Sequence, residues 1–212
     1  MYNILLRYYG PQHWWPAETK LEMIAGTILT QNTSWRNVEK ALVNLKKNNL
    51  LDISAMAQAR IDVLREAVYP SGFYRQKAER LRLFCRHVKR NYNGDLERFL
   101  SLPADTLERE LLSCEGIGRE SAHSIMLYAA GYPVFVIDTY TMRVCQRMGV
   151  HNGKSKEELR HIFEKSLKES IVAFKECHAL LVVHAKCHCQ KKPLCTKCPL
   201  KKICQHNRSF YL

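Results

Sequence analysis

The stretch Leu111-Leu-Ser-Cys-Glu-Gly116-Ile-Gly118-Arg-Glu-Ser-Ala122 decides the reading of this chain. Apolar positions at helical spacing lead into it over residues 103–113 and away from it over residues 119–130. Two helices therefore meet at a Gly-Ile-Gly turn. Two glycines two apart permit a tight turn with positive φ values and leave their N–H groups uncovered. The second helix starts at about Arg119, and the N–H groups of its first turn point the same way. Gly116, Ile117, Gly118 and Arg119 together make a nest for one anion, such as a backbone phosphate. A plain helix–helix connection would use the same residues. The charge of the chain tips the reading toward phosphate.

That charge is +13, from 33 Lys and Arg against 20 Asp and Glu, and a polyanion is the usual reason for a fold to carry it. Residues 177–212 contain no Asp or Glu but hold Lys186, Lys191, Lys192, Lys197, Lys201, Lys202 and Arg208. A second basic stretch runs Arg75, Lys77, Arg80, Arg82, Arg86, Lys89, Arg90, and reads either as a solvated helix face or as a polyanion contact.

Outward from the hairpin the helical period continues almost throughout. Further helices are expected over residues 20–29, 54–68, 75–90, 139–148, 155–167 and 170–186, and over a segment capped by Ser34 with Trp35, Val38, Ala41, Leu42 and Leu45 on one face. Residues 134–137 favour a strand but have no partner run to pair with. The expected fold is all-α. With 212 residues the chain buries enough surface to need no disulfide scaffold. No apolar run reaches the roughly 18 residues of a membrane span, and residues 1–10 lack the pattern of a secretory signal, so a cytoplasmic protein is expected.

Nine cysteines then read as reduced thiols. Cys85, Cys114, Cys145 and Cys177 stand singly in apolar segments and read as small buried hydrophobes. The other five crowd into Cys187-His-Cys189-Gln-Lys-Lys-Pro-Leu-Cys195-Thr-Lys-Cys198-Pro-Leu-Lys-Lys-Ile-Cys204. Counted from Cys189, the spacing C-x5-C-x2-C-x5-C reads as a metal site. On spacing alone it suits an iron–sulfur cluster or Zn²⁺. Downstream of the hairpin, Val136-Ile-Asp138-Thr places a carboxylate after an apolar run and before a helix. Asp138 there is an N-cap, and a carboxylate at the mouth of a cleft can also stabilise a developing cation and orient a water.

These segments resemble the endonuclease III superfamily, the helix-hairpin-helix DNA glycosylases. Gly116-Ile-Gly-Arg-Glu-Ser-Ala followed by Val136-Ile-Asp138-Thr is similar to the family's hairpin, loop and Asp signature. Ile28-Leu-Thr-Gln31-Asn-Thr33, Ser71-Gly-Phe-Tyr-Arg-Gln-Lys-Ala78 and the C-terminal cysteines extend the match in family order over nearly the whole chain. The resemblance implies two helical lobes: residues 20–131, with the hairpin at about 107–130, and residues 1–19 plus 132–212, with the cysteine loop 189–204. A cleft between them would hold Asp138. It implies a [4Fe–4S] cluster, with Zn²⁺ as the alternative, on Cys189, Cys195, Cys198 and Cys204. Cys189 is preferred to Cys187 because it lies five residues after His184, as the family's first ligand follows its own His.

Two features narrow the activity. Bifunctional members carry a Lys nucleophile where this chain has Glu120, and a carboxylate cannot form a Schiff base. Trp14-Trp15-Pro16 and Trp35 resemble the branch called 3-methyladenine DNA glycosylase III, which also carries Glu at that position. The implied activity is monofunctional removal of alkylated bases such as 3-methyladenine in base excision repair. In that scheme Asp138 is catalytic, and Trp14, Trp15, Pro16, Trp35 and Glu120 surround the flipped base. Gln31 enters the minor groove, and the hairpin residues Gly116, Ile117, Gly118 and Arg119 grip the phosphate. The implied partner is double-stranded DNA with damaged bases, bound by a nucleoid-associated monomer without membrane contact. The rivals are a thymine or adenine mismatch glycosylase, a bifunctional endonuclease III-type enzyme, and a non-catalytic iron–sulfur or zinc DNA-binding protein.

Overall fold

The computed structural model describes residues 1–151, 153 and 155–208. Among these the chain is helical and has no strand. In order come α1 (Tyr2–Tyr9), α2 (Lys20–Leu29), α3 (Trp35–Lys47), α4 (Ile53–Gln58), α5 (Ile61–Val68), α6 (Tyr74–Tyr92), α7 (Leu96–Leu100), α8 (Ala104–Ser113), α9 (Arg119–Ile125), α10 (Thr139–Met148), α11 (Lys156–Ser166), α12 (Ile171–Cys187) and α13 (Gln205–Arg208). A 3-10 turn, Tyr69–Ser71, follows α5, and a π-helical turn, Met126–Ala130, continues α9. No helix among the described residues is long and apolar enough to cross a membrane.

The chain divides into two compact units: residues 15–132, and residues 1–14 with 133–212. Residues 15–19, expected with the terminal lobe, belong instead with the bundle. Local bonds explain this. Trp15 packs on Trp35, and Thr19 caps α2 by accepting the Glu22 N–H at 3.1 Å. Residues 152, 154 and 209–212 of the expected second lobe lie outside the described residues.

In the bundle, α2 is buried from Leu21 to Leu29, so its apolar character runs all round rather than along one stripe. Periodicity predicts one helix over residues 54–68, but α4 and α5 are separate, with Ala59 and Arg60 extended between them. Both pack on α6, and Ile53, Met56, Leu64 and Val68 are buried. Arg86 of α6 secures the break by donating to the Ala57 carbonyl at 3.0 Å. The expected continuous helix 119–130 also changes character, becoming π-helical at Met126 and stopping at Gly131, whose φ is +74°. Sequence periodicity does not reveal α1, α7 or α13.

In the other unit, α12 packs against α1 and α10. Residues 134–137 form a buried extended segment with no sheet. Phe135 stacks on Phe163 at 4.2 Å, and its N–H donates to the Glu164 carboxylate at 3.0 Å, which satisfies a backbone donor that burial would otherwise strand. The four single cysteines are buried, and burial pushes the Cys145 and Cys177 thiols up to about 12.

Candidate active site

In the bundle unit the hairpin turn is built differently from the two-glycine expectation. Gly116 has φ +80°, while Gly118 sits at φ −87° and ψ 177°, extended backbone open to any residue. Gly116 is required for a second reason. A Cβ there would lie 2.1 Å from Arg80 Nε. A Cβ on Gly118 would meet nothing within 4 Å, so that position faces open space at the start of α9. Ile117 is buried at 4% exposure and its N–H is spent on the Cys114 carbonyl at 3.1 Å. It anchors the turn from inside and cannot itself present a side chain to DNA. Gly118, Arg119 and Glu120 are exposed.

Gln31 is tied to this turn. Its Nε2 donates to the Gly116 carbonyl at 3.0 Å and to Ser121 Oγ at 3.2 Å, and its Oε1 accepts from Arg80 Nη1 at 2.8 Å. A side chain entering a groove from here must exchange these bonds for bonds to bases. Arg80 thus lines the inside of the turn and orients Gln31. Lys77, one turn earlier on α6, is 1% exposed, and its Nζ donates to the Leu29 carbonyl at 2.9 Å and the Ser71 carbonyl at 2.7 Å. Burial, with the Arg80 cation nearby, pulls the Lys77 pKa down to about 8. The basic stretch 75–90 is therefore partly framework: Lys77 is buried on two carbonyls, while half-buried Arg80 and exposed Arg86 bind the Gln31 amide and the Ala57 carbonyl.

Lys77 ties the C-terminal end of α2 to a turn carrying Phe73, a residue the sequence reading did not single out. Phe73 is 64% exposed with φ +47°. An exposed aromatic held in strained backbone is unusual for a surface loop. The sequence signal was there in Ser71-Gly-Phe73-Tyr, a bulky apolar residue directly after a glycine in a turn.

The aromatic residues separate. Trp15 packs edge-to-face on Trp35 (centroids 5.5 Å) and on Tyr128 (5.4 Å). Gly26 of α2 makes the room, since a Cβ there would lie 3.3 Å from Trp15 Nε1 and 3.5 Å from Trp35 Cη2. Pro16 beside them is exposed. Trp14 belongs to the other unit, where its ring meets His178 edge-on at 6.1 Å.

In that unit Asp138 caps α10. Its Oδ1 accepts the Thr141 N–H at 2.6 Å, and its Oδ2 lies 3.7 Å from His178 Nε2 on α12. The carboxylate is 8% exposed. Burial alone would raise its pKa, but His178 and the Thr141 N–H and hydroxyl outweigh burial and hold it below the ordinary value. Asp138 is therefore a buried anion whose two oxygens have different duties, one structural and one turned toward a histidine.

Cys189, Cys195, Cys198 and Cys204 line one cavity together with Arg147, His184 and Leu200. Cys187 is exposed and does not line it. Arg147 Nη1 lies 3.3 Å from Cys189 Sγ and also donates to the Gln190 carbonyl at 2.6 Å, so a cation faces the thiols. Arg143 Nε fixes the loop by donating to the Cys189 carbonyl at 2.7 Å. Four thiols lining one cavity beside a guanidinium have the donor chemistry of a thiolate-bound group, although among the described residues no three side chains converge as metal ligands.

Residues 25–169 match the HhH-GPD superfamily of base excision DNA repair proteins. A Methanocaldococcus jannaschii protein whose name places it among DNA repair glycosylases is 48% identical over 207 residues, 96% of this chain and 94% of its own. Endonuclease III of Escherichia coli is 30% identical over 155 residues, 72% of this chain and 68% of that one. Among solved structures, an H. pylori 3-methyladenine DNA glycosylase bound to 1,N6-ethenoadenine superposes with a TM-score of 0.77 at 29% identity, over 87% of this chain and 96% of that chain.

Proposed function

This chain belongs to the HhH-GPD superfamily of base excision DNA repair proteins, and on that footing we propose that it is a monofunctional DNA glycosylase for alkylated purines such as 3-methyladenine. The observation that carries the reading is Asp138, a buried carboxylate held anionic in a chain that has Glu120 rather than an amine after the hairpin. The likeness to a 3-methyladenine glycosylase supports the substrate class.

A base inside a duplex is out of reach, so the nucleotide must be swung out. The open N-terminal end of α9 at Gly118 and Arg119 receives a phosphate, and Phe73 and Gln31 occupy the gap left in the stack. The rings of Trp15 and Trp35, packed together in the bundle unit, receive the base. An alkylated purine carries positive charge, and stacking on electron-rich rings favours it by roughly 0.5–2 kcal/mol over its neutral parent. That charge also weakens the glycosidic bond, so the leaving base needs little acid catalysis. Asp138 stabilises the oxocarbenium-like sugar and orients the attacking water. Glu120 has no electron pair on nitrogen to offer C1′, so hydrolysis ends at an abasic site with the strand intact.

Cys189, Cys195, Cys198 and Cys204 would hold a [4Fe–4S] cluster, with Arg147 offsetting thiolate charge. When bound, the cluster supplies a redox-capable centre that braces the basic C-terminal loop.

The test is release of free base from methylated duplex DNA, with borohydride added to a parallel reaction. Released 3-methyladenine with no trapped protein–DNA adduct is expected. A trapped adduct, or strand nicking without alkali, would instead favour the bifunctional reading that the endonuclease III relative represents.

A further inference from the structure

Three residues link α1 to the thiol cavity. Tyr9 Oη lies 2.7 Å from His188 Nδ1 and 3.1 Å from His184 Nδ1. His184 Nε2 lies 3.8 Å from Cys198 Sγ. His184 is 2% exposed, and the two imidazoles are nearly parallel with centroids 5.7 Å apart. The hydrogen bonds of Tyr9 span 175 and 179 residues of sequence, so nothing local brings these groups together.

A phenol has one proton to give, so Tyr9 can donate to only one imidazole and must accept from the other. If it donates to His188, then His184 carries its proton on Nδ1 and turns a bare Nε2 toward the sulfur. Two lone-pair groups would then face each other. If it donates to His184, the proton of that neutral ring sits on Nε2 and points at Cys198 Sγ. His188 then donates through Nδ1–H to the tyrosine oxygen. A deprotonated Cys198, as any metal ligand must be, selects the second arrangement.

We propose that Tyr9 is a positioning residue for the thiolate-bound group: its hydroxyl fixes the His184 tautomer that donates a hydrogen bond to the Cys198 sulfur. The inference rests on reading the four thiols as cluster ligands. A hydrogen bond to a ligating sulfur stabilises the more negative state of the cluster, which raises its reduction potential, and it resists loss of the ligand.

The experiment uses whole, anaerobically purified protein and compares Tyr9→Phe, His184→Gln and the double variant. Midpoint potential is read by protein-film voltammetry, and iron release to a chelator by loss of the brown absorbance. Tyr9→Phe keeps the ring and removes only the hydroxyl. It should shift the potential downward and speed iron release about tenfold. The side-chain amide introduced by His184→Gln donates without needing a tautomer fixed, so adding Tyr9→Phe to that background should change neither readout. Wild-type potential and iron release in Tyr9→Phe overturn the proposal. An equal effect of Tyr9→Phe in both backgrounds also overturns it, because the tyrosine would then act through packing. Colourless wild-type protein without iron overturns the cluster reading itself, and this inference with it.

Discussion

Arg80 runs directly beneath Gly116, with its Nε 2.1 Å from where a Cβ on that glycine would sit. The same guanidinium holds Gln31, so the turn, the arginine and the amide stand or fall together. Gly116→Ala should strain a backbone at φ +80° and displace Arg80, costing about 1–3 kcal/mol, or several degrees in Tm. Gly118→Ala should leave Tm unchanged, because the position is extended and open, yet weaken duplex binding by crowding the phosphate. Thermal melts and binding titrations at fixed salt separate the two. Equal melting losses would contradict the assignment.

Asp138→Asn preserves an N-cap donor–acceptor geometry, since Asn caps helices about as well as Asp. The variant should fold, bind methylated duplex normally, and lose base release by about 100-fold or more. Near-wild-type excision would remove Asp138 from the mechanism. The pH dependence has a definite sign. The folded-state pKa lies below the unfolded value, so the stabilisation is complete above the unfolded value near 3.9 and is lost as pH falls through the folded one. Asp138 should therefore contribute no fall in rate between pH 8 and pH 5.

Trp35→Ala should lower excision of cationic bases by up to about 30-fold and affect a neutral etheno adduct less, as cation–π stacking requires. Gly26→Ala probes the same cluster without removing a ring. Alanine favours the helix, while its Cβ presses on Trp15 and Trp35. Tm should hold while base release falls several-fold. Paired melting and single-turnover assays on both variants test this, and unchanged release from both would place the rings outside the base pocket.

Lys77 predicts an alkaline signature. Its pKa of about 8 in the fold compares with about 10.4 in an unfolded chain. Between those values the unfolded chain holds the proton more tightly, so this residue makes stability rise with pH across that window. Lys77→Met should remove the rise, and at pH 7 it should cost about 1–3 kcal/mol by stranding the Leu29 and Ser71 carbonyls. Denaturant midpoints of both proteins at pH 7 and pH 10 provide the check.

Much of the helical layout was legible because periodic burial writes itself into sequence. The α10 helix, residues 139–148, was read with its bounds and its Asp138 cap. Breaks were harder. Nothing in residues 54–68 distinguishes a straight helix from two short ones, because the apolar period runs unbroken across the extended Ala59 and Arg60. At the hairpin, sequence showed two glycines but not that only Gly116 needs positive φ. Composition marked residues 75–90 as basic and could not tell Lys77, a buried donor to two carbonyls, from a solvated lysine. Spacing to His184 favoured Cys189 without excluding Cys187; Cys189 lines the thiol cavity and Cys187 does not.

The bundle unit is one continuous segment, while the other is assembled from the first fourteen residues and everything after residue 132. Synthesis delivers α1 before the bundle and its docking helix α12 after it, so α1 must stay unsatisfied while an entire neighbour is made. Vectorial synthesis thus imposes a waiting time on α1, and a rearranged chain order that placed α1 beside α12 would abolish it.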